Sequence, residues 1–116
     1  MAQEISKDMI RGLTGAIVLS VLEFEDSYGY QISKQIKQIT DDRYELNEAT
    51  LYTVFRRLSA QGFVKSYYGN DDENQGGRRK YYSLTESGKK ELNRSRTDWE
   101  FSKEIVDALL QEKKNG

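Results

Sequence analysis

The chain has 116 residues, enough for one domain and too few for two independent cores. Charged residues make up 32% and hydrophobic ones 36%, so a thin, elongated or oligomeric body is expected rather than a compact sphere. The formal charge of -1 advertises no polyanionic partner, and the lack of His and Cys removes disulfide scaffolds, thiol nucleophiles, histidine bases and nearly every zinc site.

Residues 6 to 25 read as one helix, with Ser6 as N-cap, Asp8 in the first turn and apolar residues at Ile10, Ile17, Val21 and Phe24. At 100° per residue Ile10, Leu13, Ile17 and Val21 share one face, and Gly12, Gly15, Ala16 and Leu19 the other. Each internal glycine costs about 1 kcal/mol relative to Ala, so close approach of a second helix or open space is expected there. Residues 26 to 29 are a turn. A short helix follows, with Ile32, Ile36 and Ile39 inward and Lys34 and Lys37 outward. TDDRYE is loop. Asn47 caps a third helix that ends at Gly62, with Leu51, Val54, Phe55 and Leu58 as its apolar stripe.

The period then switches from helical to alternating. FVKSYYG and RRKYYSLT read as two strands joined by NDDENQGG, a hairpin with a long tip. Thr85 opens a last helix that runs to about Glu112. The fold class expected is mostly α with a small β hairpin. Residues 1 to 84 form the body, with the first helix also at a dimer interface, and 85 to 116 form a C-terminal dimerisation helix. No apolar run is long enough to span a membrane and no signal sequence opens the chain, so a cytoplasmic protein is expected.

Little here suits catalysis. The carboxylates are scattered, and Asp71, Asp72 and Glu73 sit in a glycine-rich loop without a matching ligand shell. GG at 76 and 77 has no strand before it and no helix directly after it, so it is not a phosphate loop. No enzyme activity and no cofactor are expected.

The third helix is more informative. Thr50, Tyr52, Thr53, Arg56 and Arg57 combine hydroxyls, an aromatic edge and two cations, groups suited to phosphates and base edges in a major groove. The short helix before it makes a helix-turn-helix. Arg56 and Arg57 alone read equally well as a solvated face. The basic hairpin that follows, with Arg78, Arg79 and Lys80, tips the balance towards double-stranded DNA, although the acidic tip does not suit a groove.

The last helix repeats Leu92, Trp99 and Val106 every seven residues, joined by Phe101, Ile105, Leu109 and Leu110. Such a seam needs a partner, most simply a second copy. The expected dimer interface is Leu19, Leu92, Trp99, Val106, Leu109 and Leu110. Ser95 and Ser102 stand where a zipper would carry Leu, which leaves room beside the sole Trp. If the Gly12, Gly15 and Ala16 face of the first helix meets it across a dimer, an apolar cavity results, its walls including Met9, Trp99 and Lys103. The plainer alternative is that Trp99 only anchors the interface.

NEATLYTVFRRLSAQGFVKSYYG followed by GGRRKYYSLTESGKKEL resembles the PadR-family transcriptional regulators, and YGYQI at 28 to 32 is similar to the opening of their second helix. The resemblance covers about residues 6 to 92, and the single C-terminal helix resembles the compact, multidrug-sensing subfamily. It implies a winged helix-turn-helix homodimer that binds a palindromic operator and represses efflux, detoxification or stress genes. It also implies release, in some members, by a planar aromatic small molecule. It carries Tyr28, Tyr30 and Lys34 onto the second helix, Thr50, Tyr52, Thr53 and Arg56 onto the recognition helix, and Arg78, Arg79 and Lys80 onto the wing. Trp99 falls where drug-sensing members place an aromatic platform. Lys103, one turn on, would repel cationic drugs, so a neutral or anionic ligand is expected. The rival readings are a protein-interaction module or a ligand-sequestering protein without operator binding.

Overall fold

The computed structural model describes residues 3–69 and 78–112. The wing tip at 70–77 therefore lies outside the described residues, as do the carboxylates at 71–73. In chain order the elements are α1 (Lys7–Ile10), a 3-10 turn (Arg11–Leu13), α2 (Thr14–Phe24), α3 (Gly29–Ile39), α4 (Glu48–Ala60), β1 (Val64–Tyr68), β2 (Lys80–Leu84) and α5 (Glu86–Leu110). The body is 69 Å along its longest axis and 21 Å along its shortest, because α5 leaves it.

The first expected helix is broken. Ile10 (φ -101, ψ -6) and Leu13 (φ -107, ψ 0) depart from helical geometry on either side of the 3-10 turn, and Ser6 makes no side-chain cap. Gly12 sits in that turn with open space where a Cβ would be, so nothing packed offsets its low helix propensity. α2 consequently buries Val18, Leu19, Val21 and Leu22, while Phe24 is exposed. Leu19 is 1% exposed and Leu92 is 2% exposed, so both belong to the chain's own core and not to an exposed seam.

That core gathers Ile32 and Ile36 of α3, Leu51, Val54, Phe55 and Leu58 of α4, and Val64 and Tyr82 of the hairpin. Burying each large apolar side chain stabilises the fold by about 1.5–3 kcal/mol. Ile39, expected inward, is exposed. α4 starts as its sequence requires, the Asn47 side chain accepting from the Thr50 N–H at 2.9 Å. It is followed by Gly62 at φ +79, the left-handed position that favours glycine. Between α3 and α4, Asp41 (φ 52) and Asp42 (φ 64) make the tight turn, a conformation short polar side chains tolerate. Ser33 Oγ braces it by donating to the Leu46 carbonyl at 2.9 Å.

β1 and β2 pair antiparallel, Val64 opposite Leu84 and Tyr68 opposite Lys80. The backbone of Ser27 adds a bridge to Tyr82, donating to its carbonyl at 3.2 Å and accepting from its N–H at 2.8 Å. α5 docks at its start. Thr85 Oγ1 and Ser87 Oγ both donate to the Gly62 carbonyl, at 2.7 and 2.9 Å, and Thr85 Oγ1 accepts from the Gly88 N–H. A Cβ on Gly88 would fall 2.1 Å from the Phe63 carbonyl oxygen, so only glycine lets the helix approach this closely.

Candidate nucleic-acid interface

α4 divides into two faces. Leu51, Val54, Phe55 and Leu58 are buried, Phe55 stacking on Tyr82 of β2 at 3.8 Å between ring centroids. Thr50, Tyr52, Thr53 and Arg56 are exposed on the other side, with Tyr52 set edge-on to Phe55 at 6.5 Å. The Phe55–Tyr82 stack thus fixes the hairpin directly onto the helix that carries these polar groups. Stacks of this kind add about 0.5–1.5 kcal/mol beyond area burial.

The hairpin contributes cations. Arg78 and Lys80 are exposed, and Lys80 Nζ lies 5.8 Å from the Tyr82 ring. The Arg79 guanidinium sits 4.8 Å over Tyr28, the residue preceding α3. Tyr28 is half-buried, whereas Tyr30 and Lys34 on α3 are exposed. The structure therefore brings Tyr28 and Arg79 into contact, and Thr50, Tyr52, Thr53 and Arg56 onto one exposed face.

Arg57 goes elsewhere. Its Nη2 lies 3.0 Å from where a Cβ on Gly15 would be, and Leu58 Cδ2 lies 3.6 Å from it, so this glycine makes room for side chains of α4. Arg57 lines a groove of about 300 Å³ together with Gly12, Gly15 and Ala16 on one side and Ser95, Trp99 and Ser102 of α5 on the other. Met9 is 74% exposed and is not among the residues lining this groove. Lys103 lies beside it, its Nζ 5.8 Å from the Trp99 ring and 2.9 Å from Glu100. Asp98 pairs with Arg94 at 2.8 Å, and the hydrogen bonds that Arg94 donates to the Glu91 carboxylate hold its guanidinium above its ordinary pKa.

Two features escape sequence reasoning. Tyr67 Oη donates to the Asp26 carboxylate at 2.6 Å across 41 positions of chain, a separation no local pattern signals. An apolar cleft of about 590 Å³ lies between the N-terminal segment, α2 and α3, lined by Ile5, Ile10, Ile17, Val21, Ile36 and Ile39 among others. The exposure of Ile5 and Ile39 is its only trace in the apolar pattern. Among the described residues there is no group of His, Cys, Asp and Glu able to hold a metal, and no helix long and apolar enough to cross a membrane.

Comparison with known proteins agrees with this architecture. A transcriptional regulator from Clostridium thermocellum has 41% sequence identity and a TM-score of 0.82, over 90% of this chain and 99% of the other. A protein of Lysinibacillus sphaericus, described as uncharacterized protein X, is 39% identical over 107 residues, 92% of this chain and 96% of its own length. Bacillus subtilis PadR, solved in complex with operator DNA, shares the fold alone: 21% identity and a TM-score of 0.62, over 90% of this chain and 51% of that one. Residues 18–94 match the model of the transcriptional regulator PadR-like family, and with α4, the hairpin and α5 arranged as above, the chain belongs to that family of DNA-binding regulators.

Proposed function

We propose that the chain is a dimeric repressor that reads a palindromic operator with α4 and grips the flanking phosphates with the wing, acting in the cytoplasm. One observation carries this reading. Thr50, Tyr52, Thr53 and Arg56 project from a helix whose opposite stripe is buried, on the body that carries Arg78 and Lys80. Tyr28, Tyr30, Lys34 and Arg79 add polar and cationic groups around the start of α3 and the base of the wing. Phosphate contacts supply affinity and its salt dependence, and base-edge contacts supply sequence preference.

The dimer reading rests on α5. Its 25 residues extend about 37 Å, at 1.5 Å per residue, yet Gly88 and Leu92 are its only buried residues. Trp99, Phe101, Ile105, Val106, Leu109 and Leu110 are exposed along the remainder, and a second copy related by a two-fold axis covers them. The dimerisation segment thus begins beyond Leu92, with residues 1 to 84 and the docked start of α5 as the DNA-binding unit. Two such units place their recognition helices about one helical turn of DNA apart.

The groove beside Trp99 binds a planar aromatic effector that releases the repressor. Its charges favour a neutral or anionic molecule. Arg57 has no ion-pair partner among the described residues, and the nearby carboxylates of Asp98 and Glu100 are held by Arg94 and Lys103.

Enrichment of duplexes from a random-sequence pool tests the DNA reading. The wild-type chain is expected to select a two-fold symmetric site, and Arg56→Ala to bind it with a loss of about 1–3 kcal/mol and relaxed preference at one base pair. Equal binding by both proteins removes Arg56 from the readers, and a pool without enrichment overturns the reading. Trp99 is the sole tryptophan, so fluorescence titration with neutral, anionic and cationic aromatics reports on the groove alone. Saturable quenching by the first two classes is expected, and a flat response returns Trp99 to an interface role.

A further inference from the structure

The outer face of the hairpin carries a ladder of side chains, on the opposite side of the sheet from the Phe55–Tyr82 stack. The Ser27–Tyr82 bridge sets Ser27 beside β2 at the edge of the two-stranded sheet. Side chains alternate across a sheet, so Ser27 and Tyr82 turn inward and are buried. Asp26, Tyr28, Tyr81 and Tyr67 fall on the other face. There Tyr67 stacks on Tyr81 with ring centroids 5.6 Å apart and an interplanar angle of 12°. Tyr81 meets Tyr28 edge-on at 5.3 Å, and Arg79 caps Tyr28 at 4.8 Å. The 2.6 Å hydrogen bond from Tyr67 Oη to Asp26 closes the ladder, tying the far strand of the wing to the turn between α2 and α3.

Resting on the DNA-binding reading above, we infer that Asp26 and Tyr67 are positioning residues for DNA recognition: their hydrogen bond, through the ladder, sets the angle at which the wing and Arg79 meet the duplex. The inner-face Phe55–Tyr82 stack and the Ser27–Tyr82 backbone bridge both hold β2 to the body. The outer ladder adds an attachment through Tyr67 on β1, the strand on the far side of β2 from Ser27. It is built from polar-tipped aromatics at an exposed surface, where folding alone would not require a hydroxyl. The same bond pushes the Tyr67 hydroxyl pKa up to about 12. A carboxylate beside a phosphate would repel it, so a direct DNA contact does not explain Asp26. Holding Tyr67 does.

The test uses the full chain and the duplex that the wild-type protein enriches from a random-sequence pool. Tyr67→Phe removes the hydroxyl and keeps the stack. Asp26→Ala removes the acceptor, and Asp26→Asn keeps one. Both disruptive variants are expected to remain folded by circular dichroism and to bind the selected duplex about five- to tenfold more weakly, the scale of one typical hydrogen bond. The slope of log affinity against log salt is expected to flatten by about 1 as a wing contact is lost. Binding to an unselected duplex is expected to change less than about twofold, because non-specific attraction does not need a fixed wing angle. The double variant Asp26→Ala with Tyr67→Phe is expected to be no worse than either single one, and Asp26→Asn to bind like wild type. Asp26→Ala binding as tightly as wild type, or more tightly, overturns the inference, as do additive effects of the two substitutions. A wild-type chain that enriches no duplex overturns the DNA-binding reading and the inference with it.

Discussion

Glu86–Leu92 and the remainder of α5 belong to one continuous helix, yet they meet different surroundings. The first part is docked along one side: Thr85 caps it, Ser87 donates to the Gly62 carbonyl, Gly88 lies against the Phe63 backbone and Leu92 enters the core. The second part touches the body chiefly along one line, where Arg96 reaches Glu23 at 2.7 Å and Ser95 and Trp99 face the groove. Beyond Ser102 every described side chain is exposed. A heptad repeat in sequence thus spans two jobs. Leu92 closes the core, whereas Trp99, Val106 and the two terminal leucines are exposed.

Substitutions that act on one half and spare the other sharpen this contrast. The largest effect is expected at Gly88→Ala, where the added carbon meets a backbone oxygen that has little room to move. It is expected to cost about 4 kcal/mol and to lower the melting midpoint by more than about 10 °C, since the whole helix must lift. Leu92→Ala empties a core position and is expected to cost about 3 kcal/mol, read in the same melt. A melt unchanged by either substitution would remove the first part of α5 from the protomer's core.

The opposite pattern is expected at the far end. Leu109→Ser with Leu110→Ser leaves every core contact in place, and it is expected to weaken self-association by about 2 kcal/mol, seen in sedimentation as dissociation at low micromolar concentration. Full retention of the dimer would place the interface elsewhere. The smallest effect concerns Glu23, whose carboxyl the Arg96 guanidinium holds below its ordinary range. A lowered carboxylate pKa stabilises the fold above the unfolded value, and that contribution disappears as pH falls through the folded value. Arg96→Ala is therefore expected to lose a small, acid-sensitive part of stability, visible as a shallower decline in melting midpoint between about pH 5 and 3. The pair is half exposed at both ends, which keeps the effect small.

Most of the fold is legible because local chemistry and tertiary packing agree. Asn47, Gly62 and Thr85 mark element ends by capping and by positive φ, and the structure uses each of them that way. The stripe of α4 is a clean helical period, so its outward face follows. The first helix is less legible because its apolar run surrounds the axis, and a periodicity argument cannot decide which side is buried. Leu19 went to the core for that reason. Arg57 shares the exposed side of α4, seven positions and about 20° from Thr50, so the helical period does not show that its guanidinium reaches over Gly15. The Asp26–Tyr67 bond depends on the bridge of Ser27 to β2 and the pairing of β2 with β1, which only the folded chain supplies.

The central claim is that two chains, joined through the far half of α5, read one operator. Native mass spectrometry of the wild-type protein with its selected duplex weighs that complex directly. The account predicts a single dominant species of one duplex and two 13.5 kDa chains, appearing without a one-chain intermediate as protein is added. A saturated complex with one chain per duplex, or no complex at all, would contradict it.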